Sequence, residues 1–116
     1  MSGFEPVTTI ITFRLHPGSR EPWLALWTQV QNRARATPSC HRFQLLCNRH
    51  DDAEWLAVSE WDSASDHDAF VREVGMIWLL RCMDTMCERS HYAFFQTVAD
   101  EMSASPQGAG HPVSIP

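Results

Sequence analysis

The residues in this 116-residue sequence best suited to chemistry are a tryptophan at a strand end, several histidines, and an arginine inside an apolar run. Glu54–Trp61, EWLAVSEW, alternates, so Trp55, Ala57, Ser59 and Trp61 share one face of a strand and Leu56, Val58 and Glu60 the other. A strand fixes its last side chain while the following loop leaves room for a ligand. Trp61 is therefore a candidate for substrate contact, the alternative being a packing residue at a subunit seam. Ser59 faces the same way. Arg81 lies in IWLLRC, where its guanidinium either reaches out to solvent or is presented to an anionic ligand. His67 falls on an acidic helix, solvated there or a proton shuttle if it points inward. His41 and His91 are candidates for a general base. The facing of both, and of Thr9, Thr12, Arg14, Arg42 and Gln44, is left open by the sequence. Trp55, Trp78, Phe43 and Phe95 suit a large flat ligand and equally suit a core.

Other chemistries lack their patterns. None of the six histidines forms H-x-x-x-H or H-E-x-x-H, which argues against a bound metal. The glycines at 3, 18, 75, 108 and 110 never make G-x-G-x-x-G, and no P-loop occurs, so no built-in nucleotide cofactor is expected. Of the four cysteines, Cys40 and Cys47 are placed on opposite faces of one strand. Cys82 and Cys87 are placed roughly 140° apart on one helix. Buried free thiols are the expectation. Net charge is −5, lysine is absent and no basic stripe forms, so nucleic acid is not an expected partner. No apolar run approaches the ~20 residues of a membrane span, and Met1–Pro6 lacks the features of a signal peptide. A cytoplasmic location is expected.

These side chains need elements to hold them. Val7–Leu15 is rich in β-branched and aromatic residues, a strand ended by His16-Pro17-Gly18. Ser19 can cap a helix to about Ala36, with Trp23, Trp27, Val30 and Ala34 on its buried stripe. Cys40–Cys47 is a second strand, with His41, Phe43, Leu45 and Cys47 on one side. A polar loop, residues 48–53, turns it back antiparallel onto the third strand, Glu54–Trp61. Ser63 and Asp66 form an S-x-x-D cap for a short helix over Asp66–Val74, which Gly75 punctuates. Met76–Arg89 reads as a second long helix with Met76, Leu79, Leu80 and Met83 inward, and His91–Val98 as the fourth strand. One domain over 1–99 and a loose tail over 100–116 are expected. The order β-α-β-β-α-β is that of α+β ferredoxin-like domains. Both helices cover one sheet face, yet the strands are apolar on both. A twofold homodimer would cover the other.

The run EWDS followed by SDHDAF resembles the strand–helix junction of the antibiotic biosynthesis monooxygenase family, whose fold is a ferredoxin-like dimeric α+β barrel. The resemblance implies an oxygenase acting with O2 on a polycyclic aromatic polyketide, a phenol or hydroquinone. It also implies a substrate-site role for Trp61. Aligned with an aromatic polyketide oxygenase of the family, His67 stands at a tyrosine and Arg81 at an arginine. There Arg81 would steady a phenolate or developing oxyanion. An asparagine of that enzyme is replaced by Ala57. The haem-degrading branch relies on an asparagine in the first strand and a histidine in the second long helix. Ile11-Thr12 and the histidine-free Met76–Arg89 disfavour that reading. Either no organic cofactor is used, or reduced flavin (FMNH2 or FADH2) comes from a reductase, as in the family's angucycline ring-opening branch. The alternatives are a polyketide cyclase and a non-catalytic binding barrel. A dry cavity with no polar group near Trp61 would favour the last.

Overall fold

The computed structural model describes residues 5–99. The stretch 100–116, expected to be a loose tail, lies outside the described residues. Strand β1 (Val7–Leu15) leads through the Gly18 turn into helix α1 (Arg20–Arg35). Gly18 adopts φ +82°, a conformation an L side chain resists. The hairpin β2 (Cys40–Asn48) and β3 (Asp51–Trp61) follows, then helices α2 (Ala64–Val71) and α3 (Val74–Thr85), and strand β4 (Cys87–Phe95). The sheet order is β2-β3-β1-β4 with all neighbours antiparallel. This is the α+β ferredoxin-like architecture read from the element order.

The register assigns the two faces. Val7 lies opposite Trp61, Thr9 opposite Ser59, Ile11 opposite Ala57 and Phe13 opposite Trp55. These residues face the helices. Trp23, Trp27, Val30 and Ala34 of α1 are buried against them, as their spacing requires. Ile10, Val58 and Ala93 form a row on the opposite face, where no helix packs.

Several boundaries differ from the sequence reading. The second long helix ends at Thr85, four residues early, and β4 begins at Cys87. The helical spacing of MCERS hid a strand that gains its stability from pairing with β1. That strand ends at Phe95, so Val98 is not part of it. Gly75 does not separate two helices but lies inside α3. A Cβ there would meet only the end of the half-exposed Arg33 side chain, at 2.7 Å, which is free to shift. The hairpin turn is shorter than expected, because β3 starts at Asp51. Ser19 sits at the start of α1, but its side chain makes no capping bond. Ser63 does cap α2, its Oγ accepting from the Asp66 backbone N–H at 3.1 Å and donating to the Asp66 carboxylate at 2.7 Å.

A bulge at His41 corrects the cysteine reading. Cys40 pairs with Trp61 and Arg42 with Glu60, so one extra residue is inserted. Cys40 and Cys47 consequently lie opposite residues of the same face, and His41 is displaced from the side it was expected to share with Phe43. All four cysteines are free, and Cys47 and Cys82 are exposed rather than buried. Cys87 lies on β4, not on a helix with Cys82.

Candidate active site

Between the sheet and its helices lies a cavity of about 350 Å³. Its floor is the helix-facing side of β1, β3 and β4, including Thr9, Ile11, Phe13, Ala57, Ser59, Trp61 and Tyr92. Its walls are Trp23 and Trp27 of α1, His67 and Phe70 of α2, and Leu80, Met83 and Asp84 of α3. Most of the lining is aromatic or aliphatic, with a few polar groups, the usual make-up of a small-molecule site.

Trp61 ends β3 and is 1% exposed. Its neighbours fix the ring. Phe70 packs on it at 5.0 Å between centroids, and the His67 ring meets it edge-on at 5.6 Å and 82°. Its indole N–H donates to Ser59 Oγ at 2.9 Å, and Ser59 in turn shares a hydrogen bond with Thr9 Oγ1. Thr9 and Ser59 are both buried. The expected pairing of Ser59 with Trp61 on one face thus becomes a direct bond.

His67 points inward. It is 6% exposed, held edge-on by Trp61 on one side and by Phe94 at 5.1 Å on the other. Burial lowers its pKa, and Asp68, 3.4 Å from Nδ1, opposes that without overcoming it. The imidazole is therefore biased toward its neutral, proton-accepting form. The Ser63 cap sets the start of α2 and, with it, the position of His67.

The mouth carries the remaining polar groups. Arg81 is exposed and lines the cavity from α3, its guanidinium over the Trp78 ring at 5.9 Å. Ser90 donates to Asp84 at 3.1 Å. Burial pushes the Cys87 thiol up to about 11, with Asp84 adding to it. Tyr92 keeps about half its surface exposed, yet burial among its neighbours, then Asp84 and Cys87, raises its phenol.

Of the residues singled out in the sequence, Trp61, Ser59, His67, Phe43 and Arg81 line this cavity. Trp55, His41, Trp78, Phe95 and His91 do not, His91 lying opposite Thr12 on the sheet face without helices. Trp55 is buried beside Phe13 and Trp23, with Arg20 over its ring at 4.9 Å, and its indole N–H has no partner among the described residues. His41 is exposed at the bulge and paired with Asp62. Trp78 is 67% exposed on the outer side of α3. Phe95 lies opposite Thr8, on the sheet face without helices. Thr9 belonged to the strand residues of open facing, and the register with Ser59 settles it. Tyr92 fell within the expected fourth strand but was not singled out, because its facing follows only from the register that sets it opposite Ile11.

Three comparisons place the chain among known proteins. The profile of the family "Antibiotic biosynthesis monooxygenase" matches residues 6–76. A "42.8 kDa protein in whiE locus" of Streptomyces coelicolor is 24% identical over 110 residues, covering 95% of this chain but only 28% of that relative's length. The fold matches crystal structures of SnoaB, a cofactor-independent oxygenase from Streptomyces nogalater. For one of them the TM-score is 0.74 at 16% identity, covering 83% of this chain and 96% of SnoaB. A conserved protein from Methanosarcina mazei Go1 superposes equally well, with a TM-score of 0.76 at 7% identity over 83% of this chain and 96% of its own. At such identities the likeness is one of fold. The profile match spans more than half of the sequence, and the chain belongs to the antibiotic biosynthesis monooxygenase family.

Proposed function

We propose that this chain is an oxygenase that inserts an atom of O2 into a polycyclic aromatic polyketide, a phenol or hydroquinone, in antibiotic biosynthesis. The observation that carries the reading is a buried, neutral-biased His67 set edge-on to Trp61 in the wall of an aromatic cavity. His67 takes the phenolic proton as general base. The substrate anion gives one electron to O2, and the resulting radical pair joins at carbon as a peroxide. The imidazolium returns its proton to the peroxide; His67 then takes the proton from the oxygenated carbon, the C–H electrons form the new carbonyl as the O–O bond breaks, and the departing hydroxide takes that proton and leaves as water. Trp61 and Phe43 hold the flat rings, and Arg81 at the mouth steadies an anionic substituent.

Family membership and the cofactor-independent activity of SnoaB favour a route with no resident cofactor. Reduced flavin supplied by a reductase, with oxidative ring cleavage, is the competing route. Polar groups beside Trp61 count against a purely binding role, for which a cavity with none was the criterion. The protein is also proposed to work as a cytoplasmic homodimer joined through the bare sheet face. None of the helices among the described residues is long and apolar enough to cross a membrane.

The test is oxygen uptake with polycyclic hydroquinones and phenols, with and without chemically reduced FMN or FAD. Uptake without flavin is expected, and Trp61→Phe and His67→Gln should reduce it. Uptake only with reduced flavin would favour ring cleavage. Product formed without oxygen would mean a cyclase.

A further inference from the structure

The hydrogen bonds around Ser59 do not use all their protons. Trp61 Nε1, Ser59 Oγ and Thr9 Oγ1 carry three donor hydrogens between them, one on each atom. They make two bonds with one another: Trp61 to Ser59, and one hydroxyl to the other. Whichever way the hydroxyl pair is oriented, one O–H remains over. The two oxygens hold four lone-pair sites, of which two are filled. None of these groups has a further partner among the described residues. Thr9 is 1% exposed, Ser59 7% and Trp61 1%, so the spare proton is shielded from bulk water, and the space beside it is the cavity that Thr9 and Ser59 both line.

We infer that Thr9 and Ser59 together form the seat for the reacting oxygen of the substrate, which rests on the oxygenase reading above. The chemistry fits an oxygen that changes protonation state. A neutral phenol can donate into a free lone pair of the hydroxyl pair. Once His67 has taken its proton, the same oxygen accepts the spare O–H, and the hydroxyls turn to suit. The second bond is charge-assisted and the stronger of the two. The seat therefore favours the anion over the neutral phenol, the kind of preference that speeds a step rather than merely tightening binding. The indole N–H keeps Ser59 Oγ in place while this happens. Thr9, on β1, is a substrate-contacting residue on this view, as Ser59 is.

Either hydroxyl alone can supply the spare proton, and this gives the inference a signature. Thr9→Val leaves the Ser59 O–H free, and Ser59→Ala leaves that of Thr9. Only the double variant has none. The probe is 2-hydroxyanthraquinone, whose ionisation is visible in its absorption spectrum, with the parent anthraquinone as the control lacking the hydroxyl. Binding of both is followed by quenching of tryptophan fluorescence, and thermal melting checks that each variant is folded. The bound phenol should ionise at lower pH in the wild type than in the double variant, by about one pH unit. Preference for the hydroxylated probe should fall about tenfold in the double variant and little in either single one. Thr9→Ser should behave as wild type. If Ser59→Ala fails to fold because it strands the Trp61 N–H, Ser59→Thr with Thr9→Val should retain the acidic shift. Unchanged acidity in a folded double variant, or equal losses in the two single variants that simply add, would overturn the inference while leaving the oxygenase reading standing. Failure of the wild type to bind either probe would overturn both.

Discussion

Burial of His67 between the near-perpendicular rings of Trp61 and Phe94 disfavours its charged form, and the sign of that effect can be measured. Its folded pKa lies below the ordinary value of 6.5, so near neutral pH the imidazole is unprotonated in both the folded and unfolded chain. As pH falls below about 6.5, the unfolded chain takes up a proton that the folded chain resists, and stability declines. The decline levels off once pH passes the folded pKa. Urea midpoints compared at pH 7.5 and pH 5 should show this loss in the wild type and a smaller one in His67→Gln. Activity should likewise persist to lower pH than an ordinary histidine base would allow, and His67→Gln should lose roughly 10²–10⁴-fold in rate. The pairing of Trp61 with Ser59 was legible in the sequence because period-two alternation fixes which side chains share a face. The role of Thr9 was not, since its facing depends on register with β3, a contact 50 residues away.

Helix α2 is eight residues long, too short to persist without help, and its cap gives that help. Replacing Ser63 with alanine removes the acceptor for the Asp66 N–H and should cost about 1 kcal/mol. For a domain of this size that lowers the melting temperature by roughly 4–8 °C. Because α2 carries His67 and Phe70 into the cavity, the same substitution should lower oxygen uptake by more than its small stability cost explains. Met76, 0% exposed where α3 meets the core, tests packing alone: Met76→Ala should cost about 2–5 kcal/mol in chemical denaturation. The capping pattern and the stripes of α1 and α3 were written locally, in spacings of three and four residues. The start of β4 was not. Residues 86–89 fit a continued helix by spacing alone, and only the ladder to β1, which sets Leu15 against Cys87, makes them strand. The His41 bulge escaped for the same reason, because an inserted residue shows only against a partner strand.

The whole sheet has two unlike sides. One is covered by three helices around the cavity. The other presents the half-buried Ile10, Leu56, Val58 and Ala93 and the exposed Phe95, bordered by ion pairs from Arg14 to Asp51 and Glu54 and from Arg42 to Glu60. The guanidinium of Arg14 holds the Asp51 carboxyl below its usual range. An apolar face with a charged rim suits a second copy of the chain. Phe95 is 51% exposed, so Phe95→Asp should leave the subunit folded while halving the mass seen by light scattering. The sheet is also a partition. In the proposed dimer the helices that wall the cavity lie on one side of the sheet and the seam on the other, so each subunit is expected to carry a complete cavity of its own. Turnover in one subunit should then be indifferent to its neighbour. Rate should rise hyperbolically with substrate, without cooperativity, and mixed dimers carrying one His67→Gln subunit should work at half speed.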